Sequence, residues 1–539
     1  MKSSLAPYRL SAAFLLIIVS SAFALSASAQ TNPLFRHLPP DASKIYHINL
    51  PVLTAKLSLN DIVSNIPPSK ASSDQMMQML KNPEQTGIDI NQDIFVAQSD
   101  QHTKLDSTTI VTVLVHLTDS GKFAALIRSK GNGIRTFRLP QGNAIGKDKM
   151  AVAYDSKLAV ITIITPGSKP AAEAGKKSLN NNKAAITPSF NYTLAAAKKS
   201  LAALQGFASS IYTTDPEFQA GFSDDADFHM WAPQGSGLAT LMKTMGKKNQ
   251  GMSDALTNKG KASQLHILTA VRFDAGKIVL RTTMALAGDS LAFIKKLNAR
   301  PLNTDLIARL PGKELLGMVN FHFDLSVLTD LLETYKVRGK ADSALSGLGF
   351  TVGDIQKAFK GDFLVAAVAP TIVPNDTTQK KEPFIYFVTT INDLGSFMKL
   401  ASKLPLSKDS ASGGKGMFGK MKTAYTLKDN ILVVSGNKQR TDSYFSNTTR
   451  RSTELVTDHV ADAPVSIVVD IKAVAAYLKA VSPESSPKTQ QMLHFMNALD
   501  RLTITGGRLV DGNKSETYFE LKMADASENS LRSIFKLLH

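Results

Sequence analysis

The sequence predicts an α+β fold made of two tandem related halves, about residues 30–300 and 301–539, each packing helices against a mainly antiparallel sheet. Three observations lead there. The stretch from Leu38-Pro39-Pro40 through His47-Ile48-Asn49 to Leu53 returns as Leu310-Pro311-Gly312 through His322-Phe323-Asp324 to Leu328. Asp119, Gly121, Phe123 and Leu126 reappear as Asp393, Gly395, Phe397 and Leu400 at a constant shift of 274, which Asp155, Leu158 and Val160 share with Asp429, Leu432 and Val434. Short β-rich runs also alternate with helical patterns and are joined by hairpin turns, Asp274-Ala275-Gly276 being the clearest, so neighbouring strands run antiparallel.

The chain opens with Lys2 and Arg9 before an apolar run, Leu10 to Leu25, and then Ala27-Ser28-Ala29. This order predicts a signal peptide over residues 1–29, cleaved after Ala29 to leave Gln30 first. The run is short for a spanning helix, and no longer one follows. There is no cysteine in the 539 residues, which removes disulfides, thiolate metal sites and lipidation through cysteine. The formal charge is +17, and removing Lys2 and Arg9 would still leave +15. These features predict a soluble, basic, exported chain of the periplasm or cell surface.

In order, a strand Ile45–Leu50 leads into a helix from about Pro51, with Asn49 at the cap and proline in the first turn, where no amide hydrogen is needed. A helix Asp74–Leu80 follows, and Asn82-Pro83 opens a last turn that Gly87 closes in the left-handed region. Strands are expected near Asp93–Gln98 and Thr109–Leu117, a helix over Asp119–Arg128, a basic connection, and a strand pair within Met150–Thr165. The composition of 166–188 reads as a loop. Next come a helix Tyr192–Phe207, a strand Asp227–Trp231, a short helix Gly237–Met245, the hairpin Gln264–Ala285 and a helix Ser290–Leu297. The second half answers with Val465–Asp470, a hairpin Leu502–Met523 turning at Asp511-Gly512-Asn513, and a helix Asn529–Leu538. Asn49, Asp324 and Asp470 each end a strand that enters a helix directly, so their side chains are expected to cap the first turn.

Leu38-Pro39-Pro40-Asp41-Ala42 leading to Ile48-Asn49, Leu80-Lys81-Asn82-Pro83 leading to Thr86-Gly87-Ile88-Asp89, and Asp227-Phe228-His229-Met230-Trp231 carry a further signal. Over nearly all of the mature chain it resembles the exported Bacteroidota envelope proteins grouped as domain-of-unknown-function family 4836. The resemblance implies an envelope protein without an assigned reaction. Many members are lipoproteins, and this chain departs from them in having no cysteine to acylate.

Motifs for catalysis or cofactors are weak. Gly414-Lys415-Gly416-Met417-Phe418-Gly419-Lys420 imitates a phosphate loop, but Met421 stands where a hydroxyl must hold magnesium, and a strand rather than a helix follows. His47 and His322 occupy matching places beside Asn49 and Asp324; with no further convergent ligands they read as structural histidines near a helix cap, not metal ligands. No Gly-x-Ser-x-Gly elbow accompanies the other histidines. Ser223-Asp224-Asp225-Ala226-Asp227 reads as a solvated turn before a strand. Trp231, the only tryptophan, reads as core, and aromatic residues at 7% speak against a stacking surface for nucleic acid or sugars.

The repeat-consistent chemistry is charge. Arg128, Lys130, Arg135, Arg138, Lys147 and Lys149 stand in one stretch against a single acid, and Lys403, Lys408, Lys415, Lys420, Lys422 and Lys428 in its counterpart. Both read as basic loops leaving equivalent helices, where clustered cations attract anionic lipid, lipopolysaccharide or an acidic envelope protein. The sequence therefore points to a non-catalytic binding or scaffolding protein of the envelope, with no cofactor. The catalytic alternative is a periplasmic hydrolase whose site lies in a cleft between the halves.

Overall fold

The computed structural model describes residues 32–58, 82–102, 107–129, 133–166, 189–208, 210–233, 266–311, 314–334, 337–347, 349–370, 382–403, 424–447, 454–481 and 486–538. The signal segment with Ala29, the helices expected over 74–80 and 237–245, nearly all of the loop 166–188 and the Gly414–Lys420 motif lie outside them. The fold is α+β, and every described strand pairing is antiparallel. Two compact units divide the chain, Met1–Trp231 and Ala232–His539.

The first unit contains β1 (Lys44–Ile48), β2 (Ile94–His102), β3 (Ser107–His116), β4 (Arg135–Leu139), β5 (Gly142–Lys147), β6 (Met150–Tyr154), β7 (Leu158–Pro166) and all but the last two residues of β8 (Phe228–Pro233). Their pairings run β8-β1-β2-β3-β7-β6-β5-β4. Side chains alternate along these strands, which lets the sheet be apolar on both faces. Ile110, Ala151, Ala153 and Ile164 pack with Ala196, Ala197 and Leu201 of the helix Ser189–Gln205. Val115, Val152 and Ala159 pack on the other side with Phe123 of the helix Ser120–Arg128. That helix starts where expected, with the Asp119 carboxylate accepting from the amides of Gly121 and Lys122 at 2.8 and 2.9 Å. Gly87 has φ +71°, and a Cβ there would lie 2.0 Å from the Asp119 carbonyl oxygen, so the turn admits only glycine.

The second unit contains β9 (His266–Asp274), β10 (Lys277–Ala285), β11 (Leu315–His322), β12 (Phe359–Val368), β13 (Phe384–Ile391), β14 (Ala424–Lys428), β15 (Ile431–Ser435), β16 (Val465–Asp470), β17 (Leu499–Val510) and β18 (Lys514–Met523). Their pairings run β9-β10-β18-β17-β16-β11-β12-β13-β15-β14. One face carries Leu364, Val388 and Val433 against Leu306, Leu310 and Tyr444; the other carries Ile391, Leu432 and Val434 against Phe397 and Leu400 of the helix Leu394–Lys403. Asp324 and Asp470 cap as expected, each accepting at 2.8 Å from the amides of Ser326 and Ala473.

The hairpin β9–β10, which the sequence places at the end of the first half, is hydrogen-bonded through β10 to β18 over Lys277–Ala285. Gly276 at its turn has φ +68° and lies where a Cβ would meet Ala526 at 2.5 Å. The basic connection after Arg128 is not a loop throughout. Residues Arg135–Leu139 and Gly142–Lys147 form the hairpin β4–β5, because Phe137, Ala144 and Ile145 bury apolar side chains that a loop would expose.

Candidate functional site

Two places carry functional groups in the first unit. The first is the β4–β5 hairpin. Arg135 and Arg138 are exposed on β4, and Arg128 is exposed at the end of the helix Ser120–Arg128; Lys147 at the end of β5 is half-buried, and Asp148 and Lys149 are exposed in the turn to β6. Arg135 and Arg138 lie on β4, which pairs only with β5 among the described residues. Lys428 is exposed at the end of β14 in the second unit. Lys130, Lys408, Lys415, Lys420 and Lys422 and the side chain of Lys403 lie outside the described residues.

The second place is buried. In the register of β1 with β8, His47 lies opposite His229, each 2% exposed. Their Nδ1 atoms are 2.9 Å apart. His229 Nε2 reaches the Asp224 carboxylate at 2.6 Å, while His47 Nε2 stands 3.4 Å from Asp93 Oδ2 without a hydrogen-bond partner. Asn32 donates to that same Asp93 oxygen at 2.9 Å. The His47 ring stacks on Phe95, with centroids 4.5 Å apart, and Phe222 meets both histidine rings at its tilted edge.

This corrects two readings. The acidic turn is not simply solvated, since Asp224 holds His229 and Asp227 is fully buried in an ion pair with Lys56 at 2.8 Å. His47 is not fully satisfied. Its partner His229 escaped the sequence analysis because cross-strand register, invisible at a separation of 182 residues, brings them together. Trp231 is core as expected, edge-on to Tyr212 and Phe218.

His322 has a different setting. Its Nδ1 is 3.1 Å from Asn320 Nδ2, the side-chain amide that can donate to it, and Asp362 opposite it is engaged by Arg300 at 3.2 Å. Burial pushes the His322 imidazole down to about 4, a shift that the Asp362 charge opposes and the Arg300 charge reinforces. The two histidines that match in sequence thus have different side-chain partners, His229 for His47 and Asn320 for His322.

A third polar cluster lies on the β10-β18-β17 face. Arg281 and Arg508 engage the buried Glu516 carboxylate, Tyr518 donates to Glu520 at 2.8 Å, and His459 stacks on Tyr518 at 3.7 Å. Each carboxylate there has basic partners, which marks a structural ion-pair network. Among the described residues no group of three or more His, Asp or Glu could hold a metal ion. None of their helices is long and apolar enough to cross a membrane.

No family model matches the chain, and no curated protein matches it. Among solved structures it is similar to crystal forms IV and III of TP0453, with TM-scores of 0.27 and 0.26 at 10% and 8% identity. Each alignment covers 51% of this chain, and 88% and 90% of the respective TP0453 chains. Crystal form I gives a TM-score of 0.24 at 10% identity, over 48% of this chain and 80% of the other. Overlap this slight transfers neither fold nor function.

Proposed function

We propose that this chain is an exported, non-catalytic envelope protein that binds or scaffolds anionic envelope components through its basic hairpin, and that it is a member of domain-of-unknown-function family 4836 with two duplicated halves. The observation that carries the binding reading is the set Arg128, Arg135, Arg138 and Lys149, exposed around β4–β5. Positive charge concentrated in one part of a surface attracts anionic surfaces at long range more effectively than the same charge dispersed. Supporting the duplication, β8-β1-β2-β3-β7-β6 follows the same order as β16-β11-β12-β13-β15-β14. Basic residues on a terminal strand also discourage edge-to-edge pairing, so the test must separate binding from protection of the edge.

Cosedimentation with phosphatidylglycerol vesicles, with phosphatidylcholine vesicles as the control, makes that separation. Binding to the anionic vesicles should fall steeply as salt rises past the point where the Debye length is roughly 8 Å. It should also drop at least about tenfold when Arg128, Arg135, Arg138 and Lys149 are all changed to Gln, with the protein still monomeric, because each screened surface charge contributes about 1 kcal/mol. Affinity that ignores both salt and the four substitutions overturns the reading.

A further inference from the structure

The directions of the hydrogen bonds around His47 and His229 leave one valence open. Asp224 Oδ1, 2.6 Å from His229 Nε2, is a carboxylate oxygen and can only accept, so that nitrogen carries hydrogen. In a neutral imidazole the other nitrogen is then an acceptor, and His229 Nδ1 must receive the hydrogen of His47 Nδ1 across 2.9 Å. This leaves His47 Nε2 as a bare lone pair, buried and without a hydrogen-bond partner, 3.4 Å from another acceptor, Asp93 Oδ2. Two facing acceptors in a low-dielectric interior repel, and an unpaired buried nitrogen is costly.

We propose that His47 Nε2 is a proton-binding site, and that the bound proton acts as a latch. Protonation would turn the facing acceptors into a charge-assisted hydrogen bond and complete an unbroken series, Asn32 to Asp93 to His47 to His229 to Asp224. The series would fasten the segment before the 3-10 turn Pro33–His37, and the turn before β8, to the centre of the sheet edge formed by β8, β1 and β2. Both flanking carboxylates are partly open to solvent, with side chains 27% and 39% exposed, so a proton can enter without the rings moving apart.

On β8, Asp227 is neutralised by Lys56 from the helix Leu50–Lys56. From the 216–222 segment both rings meet Phe222, and from β2 the His47 ring meets Phe95. The 3-10 turn presents Phe35 to Phe95, while its own His37 is tied to the Ala203 carbonyl at 2.7 Å. Among the described residues, Asp93 and Asp224 are the carboxylates that flank the histidine pair.

The only tryptophan, Trp231, pairs with Ile45 on β1 and packs on Tyr212 and Phe218, so its fluorescence reports this unit. In the full chain, the unfolding midpoint read by Trp231 fluorescence should rise by about 3 °C as pH falls from 8 to 6, a shift on the scale of one hydrogen-bonded charge. Asp93→Asn removes the facing charge without touching either histidine. It should leave the midpoint at pH 8 unchanged or higher and abolish the rise; His47→Gln should abolish the rise as well. Nitrogen-15 NMR of the histidine rings should show His47 Nε2 gaining hydrogen over the same range in the wild type. The proposal fails if that nitrogen stays unprotonated down to pH 5.5, or if Asp93→Asn follows the wild-type pH profile.

Discussion

His47 and His322 occupy matching positions in the sequence and would have been assigned one shared role on that ground. Their neighbours separate them. His322 has an amide partner at Nδ1 and a nearby guanidinium, and burial holds it neutral, titrating at about 4. The folded state then binds fewer protons than the unfolded chain, whose histidine titrates near 6.5, so stability is intact above about 6.5 and is lost as pH falls toward 4. The full effect is about 3 kcal/mol at roughly 1.4 kcal/mol per unit. Urea unfolding followed by circular dichroism should show the transition not reported by Trp231 weakening between pH 7 and 5. The slope should flatten in His322→Gln, and an equally steep slope in that variant would rule out His322 as its source.

Among the elements, those written in local chemistry were the most legible. Asp119 was read as a helix start, and it caps two amides; Asp393, 274 residues on, accepts from the Ser396 amide at 2.7 Å. Phe123 and Phe397, four residues into each helix, are 1% and 2% exposed. Replacing either aspartate by alanine should cost about 1 kcal/mol in thermal or urea unfolding. Gly87→Ala should cost more, at least about 2 kcal/mol, because it combines a left-handed backbone with a Cβ driven into the Asp119 carbonyl. If that variant unfolds like wild type, the turn does not have the tight geometry described. The β4–β5 hairpin is hard to see in the sequence for a plain reason: Arg135-Thr136-Phe137-Arg138-Leu139 has only two large apolar residues, both on one face, and its charge outweighs its alternation.

For the whole molecule, pairing decides where the chain divides. The first unit closes its strand pairings by Pro233, while β9–β10 is completed by β18, more than two hundred residues later. A fragment of residues 30–233 should therefore unfold cooperatively with a Trp231 transition. A fragment of residues 30–300 should gain no stability and should aggregate more, because β10 would expose the long edge that β18 covers. Equal solubility with a higher midpoint for the longer fragment would show that the hairpin belongs with the first unit.

By itself the sequence determined what depends on neighbours in the chain: the α+β class, the antiparallel habit announced by turns at Asp155, Asp274 and Asp511, the cap residues, and the constant shift relating Asp119–Val160 to Asp393–Val434. Only the tertiary structure decided what depends on register across long separations. It set His229 opposite His47, brought Asp93 to that pair, joined Lys277–Ala285 to β18, and set Asp362 opposite His322. The physical reason is that strand register is fixed by burying one face of every strand at once, a condition met by the whole sheet and encoded in no single segment.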